Sequence, residues 1–227
     1  MKNQLLTFII ASIVLWSCTK PQPEDKNISV EKTRHEMLWI DADRLFILNE
    51  LERTTNELVT ETEHLTEEQA SFRENLDRWS ITEIIEHLEV QNELHYREIR
   101  TISKTPQLPK YESVVRGNDN YFKEYATDTT KGRAQWFLEP IGRFCSKSDA
   151  LEAFLRVRKH FTAYIKETDI DLRKHFTFRN NIEGKDESEI KVGDVRDLHQ
   201  LLLTGIAHTD RHLTQIRRIK RHRDYPK

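Results

Sequence analysis

The sequence predicts an all-α fold of four amphipathic helices, with a long crossover between the second and the third. Three observations lead there. Apolar residues recur at three- and four-residue spacing in four long stretches. Only 6 Gly and 6 Pro occur among 227 residues, too few for glycine-rich nucleotide folds or turn-dense all-β architectures. Charged residues make up 33% and hydrophobic ones 37%, which suits helices with one wet face. The length fits one ordinary domain. A net charge of −2 leaves no basic footprint for nucleic acid, so no such partner is expected.

The first residues are of different material. Lys2 is followed by an uncharged apolar run from Leu5 to Trp16, shorter than the roughly 20 residues that span a bilayer. It reads as an export signal. Leu15-Trp16-Ser17-Cys18 resembles the lipobox of bacterial lipoproteins. That resemblance implies cleavage after residue 17, lipid attachment at Cys18, and a membrane-anchored place in the cell envelope facing the periplasm or exterior. Residues 18–29, with Pro21 and Pro23, read as a tether, and residues 30–227 as the folded domain. A lipidated Cys18 leaves Cys145 without a disulfide partner. Between Phe144 and Ser146, Cys145 is expected to be a small buried filler rather than a nucleophile.

The first helix is expected from about Val30 to His64, with Leu38, Leu45, Leu48, Leu51 and Leu58 on its stripe. Thr66-x-x-Gln69 has the form of a capping box and predicts a short extra turn. Ser80 and Glu83 form a second capping box, with Trp79 placed to staple onto Ile84. From there Ile81, Ile84, Ile85, Leu88 and Ile99 form an inner stripe that should end before Pro106. The third helix is expected from Ser146, with Asp149 three residues on, through Leu151, Phe154, Leu155, Phe161 and Ile165. The fourth is expected after Gly193 with Asp194 as its cap, running through Leu198, Leu201, Leu202, Ile206, Ile216 and Ile219.

About forty residues separate helices two and three, long for a connection inside one domain. Such a crossover lets those two helices run parallel. Its rings, Tyr111, Tyr121, Phe122, Tyr125, Trp136 and Phe137, either cover one end of the core or wall a substrate pocket. The arginines and lysines near the end of the last helix, from Arg217 to Arg223, read as a solvated face beside the helix C-terminus.

His208 and His212 stand one helical turn apart, so both imidazoles can reach one ion. Leu201, Gly205, Ile216 and Ile219 share their sector of the wheel, which turns the rings inward. A pair alone is as consistent with buried, hydrogen-bonded histidines. His87, beside the apolar stripe of the second helix, is a third candidate that a neighbouring helix could supply. His199 lies nearly opposite His208 and is not expected at the site, and His35, His64, His160 and His175 show no ligand spacing. The spacing is not that of a zinc protease, because Thr209 stands where His-Glu-x-x-His has its base, and Asp210 should face away. Glu83, one turn before His87, could orient that ring, although the cap competes for it.

The run Trp79-Ser80-Ile81-Thr82-Glu83-Ile84-Ile85-Glu86-His87-Leu88 resembles the Trp-Ser-x-x-Glu-x-x-x-His-Leu signature of the DinB/YfiT-like superfamily. Ile206-Ala207-His208-Thr209-Asp210-Arg211-His212-Leu213-Thr214-Gln215-Ile216 resembles the closing Ala-His-x-x-Arg-His-x-x-Gln-Ile motif of the same group. The family is unrelated to the DNA polymerase that shares the DinB label. The resemblance implies an up-down-down-up four-helix bundle with a divalent metal on His87, His208 and His212. It also implies kinship with thiol-dependent transferases and isomerases, so a low-molecular-weight thiol is among the expected partners of a small-molecule substrate. The lipoprotein leader is unusual for the group.

Three neutral imidazoles leave a dication uncompensated, with at least one position open. Zinc is the expected ion, and imidazole also suits nickel and iron. A metal-dependent transferase or hydrolase is one expectation. A non-catalytic metal- or ligand-binding helical lipoprotein is the other. The sequence names no general base and fixes no oligomeric state.

Overall fold

Thr66, Ser80, Ser146 and Asp197 set where helices begin in the computed structural model. Each side chain accepts a hydrogen bond from the backbone N–H three residues on, which satisfies a donor that the first helical turn leaves free. At Thr66, Ser80 and Asp197 the third residue returns the bond, completing a capping box. The elements are α1 (Asp41–Thr62), α2 (Glu67–Ser71), α3 (Ile81–Ile102), α4 (Glu112–Val115), α5 (Asp119–Thr127), α6 (Lys147–Glu167) and α7 (Leu198–Lys220). Two short antiparallel strands, β1 (Phe176–Phe178) and β2 (Val195–Asp197), pair Thr177 with Arg196 and lead into α7. The structure describes Trp39 and residues 41–128, 134–182 and 184–227. The leader, Cys18, the tether and the expected helix start at Val30 lie outside them.

The fold is mainly helical, as expected. Both α1 and α3 pack against α6 and α7. The inner stripes of α3, α6 and α7 are buried as the spacing predicts, with Leu151 and Leu155 only partly so. On α1 the buried face is Ile47, Leu51, Thr54, Leu58 and Thr62. Leu45, expected inside, is 60% exposed, because a face that runs through Ile47 and Leu51 turns position 45 outward.

The apolar core between the long helices is in two clusters, and a third, smaller one gathers Tyr111, Val115, Phe176, Ile190 and Val195. Of the first two, one gathers Leu51, Ile99, Phe161 and Ile206, and the other Leu58, Leu88, Phe154 and Leu213. Each long helix carries polar residues or glycine where it passes from one cluster to the other: Thr54 on α1, Gln91, Asn92 and His95 on α3, Arg158 beside Val157 on α6, and Thr209 on α7 with Gly205 one turn before it. A polar layer therefore cuts the core at mid-height.

The described part of the crossover carries more helix than its prolines suggest. It holds α4 and α5, and α5 lies along α7. Tyr111, Val115 and Phe122 are buried, whereas Trp136 is 82% exposed. Arg173 ties the region together through Asp43 of α1 and Asp119 of α5. Gly193 closes the turn before β2 with φ +98°, and a β-carbon there would run into the Tyr121 hydroxyl.

Two expectations are corrected. Asp197, not Asp194, caps the last helix; Asp194 instead accepts from Lys191 N–H and the Asn180 side chain in the preceding turn. Cys145 is exposed, since it lies in the loop just before the Ser146 cap and meets no core face. The basic end of α7 stays at the surface, where Arg217 pairs with Glu57 and Glu61, Lys220 with Glu61, and Arg218 with Glu74.

Candidate metal centre

The cap at Ser80 fixes the phase of α3, and that phase turns His87 toward α7. The Asp197 cap does the same for α7 and turns His208 and His212 toward α3. The three rings meet. His87 Nε2 lies 3.4 Å from His208 Nε2, and His212 Nε2 lies 3.2 Å from the same atom. All three candidate ligand atoms fall within 4.8 Å of one another. Nitrogens about 2.0–2.1 Å from a tetrahedral zinc stand roughly 3.3 Å apart, so the observed spacing fits a shared ion.

The outer nitrogens decide the tautomers. His87 Nδ1–H donates to the Leu138 carbonyl at 2.8 Å, because a carbonyl can only accept. His212 Nδ1–H donates to Gln215 Oε1 at 2.9 Å. Both rings therefore turn a bare Nε2 inward, the form in which imidazole ligates a metal. Two bare nitrogens facing a third leave a place for a cation. His208 Nδ1 is buried without a partner among the described residues.

Burial keeps these rings neutral. The His87 pKa is lowered mainly by burial, against the raising effect of its bond to Leu138. Those of His208 and His212 are pushed well below the usual imidazole value, first by burial and then by the neighbouring imidazoles, which disfavour a second proton in the cluster, and by Arg211. Trp79 closes one side, 4.8 Å from the His87 ring and stacked on His212 at 6.2 Å.

Glu83 does not orient His87. Its carboxylate accepts from Ser80 N–H and from Arg73, so the cap holds it. The orienting partner is the Leu138 carbonyl, and the carboxylate behind it is Glu86. Fully buried Glu86 accepts from the backbone N–H of Ile141, Gly142 and Arg143 and from the Arg143 guanidinium. Glu86 and His87 thus fasten the 138–143 strap over the first turns of α3. Nothing in the pattern marks Glu86 except its place beside His87.

Asp210 faces away, bound to Arg53. His199 is buried elsewhere and accepts from Trp39 Nε1–H at 3.1 Å. His64, His160 and His175 lie outside the cluster, and His35 lies outside the described residues. Spacing also passed over His95, two turns along α3 from His87, whose ring faces Gly205 of α7.

These features define a helical protein with a histidine-lined candidate metal centre between two long helices. Residues 50–216 match the family model of the DinB superfamily, and the chain belongs to that superfamily. No curated protein and no solved structure gave a match.

Proposed function

We propose that this chain is an envelope-anchored member of the DinB superfamily, built as an up-down-down-up four-helix bundle. Its centre of His87, His208 and His212 holds a divalent metal, zinc in the first instance, and serves a transferase of the thiol type or a hydrolase on a small substrate. Convergence of three Nε2 atoms, two of them bare, carries this reading. A metal held by three imidazoles with an open position supplies Lewis acidity, bringing water or a thiol to its anionic form near neutral pH.

The chain's own residues do the rest. The Leu138 carbonyl and Gln215 hold the proton on the outer nitrogens of His87 and His212, so the inner lone pairs stay aimed. The Trp79 ring keeps water from one side of the triad. Cys18 carries the lipid, and the tether sets the domain off the membrane.

A second reading, a metal- or ligand-binding lipoprotein without catalysis, draws on one observation. Glu83, Glu86 and Asp210, three carboxylates close in sequence to the triad, are committed to other partners. The two readings separate in one experiment. Cobalt-loaded protein is titrated with 2-mercaptoethanol and followed by its thiolate-to-cobalt absorption, then offered a small electrophile. Thiolate ligation with turnover supports the enzyme. Ligation without turnover favours the binding protein. A spectrum blind to both thiol and water exchange contradicts an open site. Incorporation of a fatty-acid analogue, absent in Cys18→Ser, tests the anchor.

A further inference from the structure

Two buried arginines, Arg158 in the polar layer and Arg196 on β2, keep side-chain N–H groups without acceptors among the described residues. Arg158, 3% exposed, reaches from α6 across to α7 and donates to the Thr209 hydroxyl at 2.8 Å. Its Nε and Nη1 have no hydrogen-bond partner among the described residues. The acid that acts on it, Asp210, is already held by Arg53. Arg196, 9% exposed, also has an unpartnered Nε, and its nearest acid, Glu98, stands 3.8 Å away. Burial lowers the pKa of both guanidinium groups to about 10, which leaves them charged at neutral pH.

Both groups border the same small region. Thr209, which accepts from Arg158, donates to the Gly205 carbonyl at 2.9 Å. A β-carbon on Gly205 would stand 3.1 Å from His95 Nδ1, so the missing side chain is what admits the ring. Glu98, beside Arg196, lies one turn beyond His95 on α3. The His95 ring is held neutral, its pKa brought down to about 3 by burial and then by Arg196 and Arg158. It makes no hydrogen bond among the described residues, so both ring nitrogens are free to serve a ligand. Gly205 is three residues, about 5 Å of helix rise, from His208.

The geometry points to a carboxylate-binding subsite formed by Arg158, Arg196 and His95, on the side of the histidine triad toward the start of α7. A buried guanidinium whose N–H groups lack acceptors is unfavourable, most of all at Arg158, which has no ion pair among the described residues. A carboxylate gives it charge-assisted hydrogen bonds, and a neutral imidazole can donate to the same anion. The ligand class is therefore a short acid whose reactive end reaches the triad while its carboxylate enters the layer. The reactive end rests on the metal reading above; the carboxylate end does not.

The test uses 3-mercaptopropionate and its methyl ester, titrated calorimetrically into the full-length protein, both zinc-loaded and chelator-stripped. The acid should bind about tenfold or more tightly than the ester. Arg158→Met and Arg196→Gln should each reduce that preference to about twofold or less. Arg158→Met deletes an unbalanced buried charge and should not lower the melting temperature; should that variant fail to fold, Arg196→Gln still decides. Equal binding of acid and ester in both metal states overturns the subsite, as does a preference untouched by the substitutions. A protein that takes no metal yet keeps the preference would refute the metal reading and leave the subsite standing.

Discussion

His87 Nδ1 donates to the Leu138 carbonyl at 2.8 Å, while the neighbouring residue, Glu86, holds the strap that carries this carbonyl through three backbone N–H groups. The aim of the candidate ligand thus depends on a carboxylate that never touches it. Glu86→Gln keeps the shape but loses the charge opposite Arg143 and can no longer accept with both of its terminal atoms. Loss of such an outer partner typically weakens metal affinity about 10–100-fold. Competition titration of zinc should show a loss in this range. Unchanged affinity would detach the strap from the site.

Lys147 is a buried lysine that ends a helix not its own. Its ammonium donates to the carbonyls of Thr62, Glu63 and Leu65 at 3.2, 2.8 and 3.0 Å, at the end of α1 where carbonyls run out of intrahelical donors and the dipole is negative. Lys147→Met should cost about 2 kcal/mol, the scale of hydrogen bonds to a charged group. Urea unfolding measures it. A cost within about 0.5 kcal/mol, as for an ordinary surface change, would show that water satisfies those carbonyls equally well.

Trp39 and His199 make a pH-sensitive contact. Trp39 Nε1–H needs a lone pair on His199 Nδ1, and burial, followed by the Arg173 charge, brings that ring's pKa down to about 4. An unfolded histidine titrates near 6.5. Between these values the unfolded chain holds a proton that the folded chain lacks, so stability is full above about pH 6.5 and falls as pH drops toward 4. The slope from this ring is at most about 1.4 kcal/mol per pH unit. Comparing urea unfolding at pH 7 and pH 5, His199→Gln should lose less stability than the native protein. Equal losses would mean the ring is already protonated or exposed.

Much of this was readable from residue order, and for physical reasons. A capping box fixes where a helix starts, its start fixes its phase, and phase is what brings His87, His208 and His212 together. The same logic was open at Asp197-x-x-Gln200, where Asp194 competed because it too precedes an apolar run. Helix α5 was hidden because it is short and no side chain caps its start. The support of His87 was hidden because its acceptor is a backbone carbonyl, which every residue has. Arg158 gave no sign of burial, since one arginine beside Arg156 and Lys159 reads as part of a charged face. The family resemblance joined the three histidines that spacing had offered into one ligand set; it was silent on the strap and on the polar layer.

The central claim is that two helices aim three imidazoles at one ion. Metal content of the purified, zinc-equilibrated full-length protein and of His87→Ala, His208→Ala and His212→Ala tests it most directly. One ion per chain in the native protein, lost from all three variants while their helical signal is kept, is the predicted result. Metal retained at full stoichiometry and affinity in His87→Ala would contradict it, because the helix that supplies His87 would then play no part in the site.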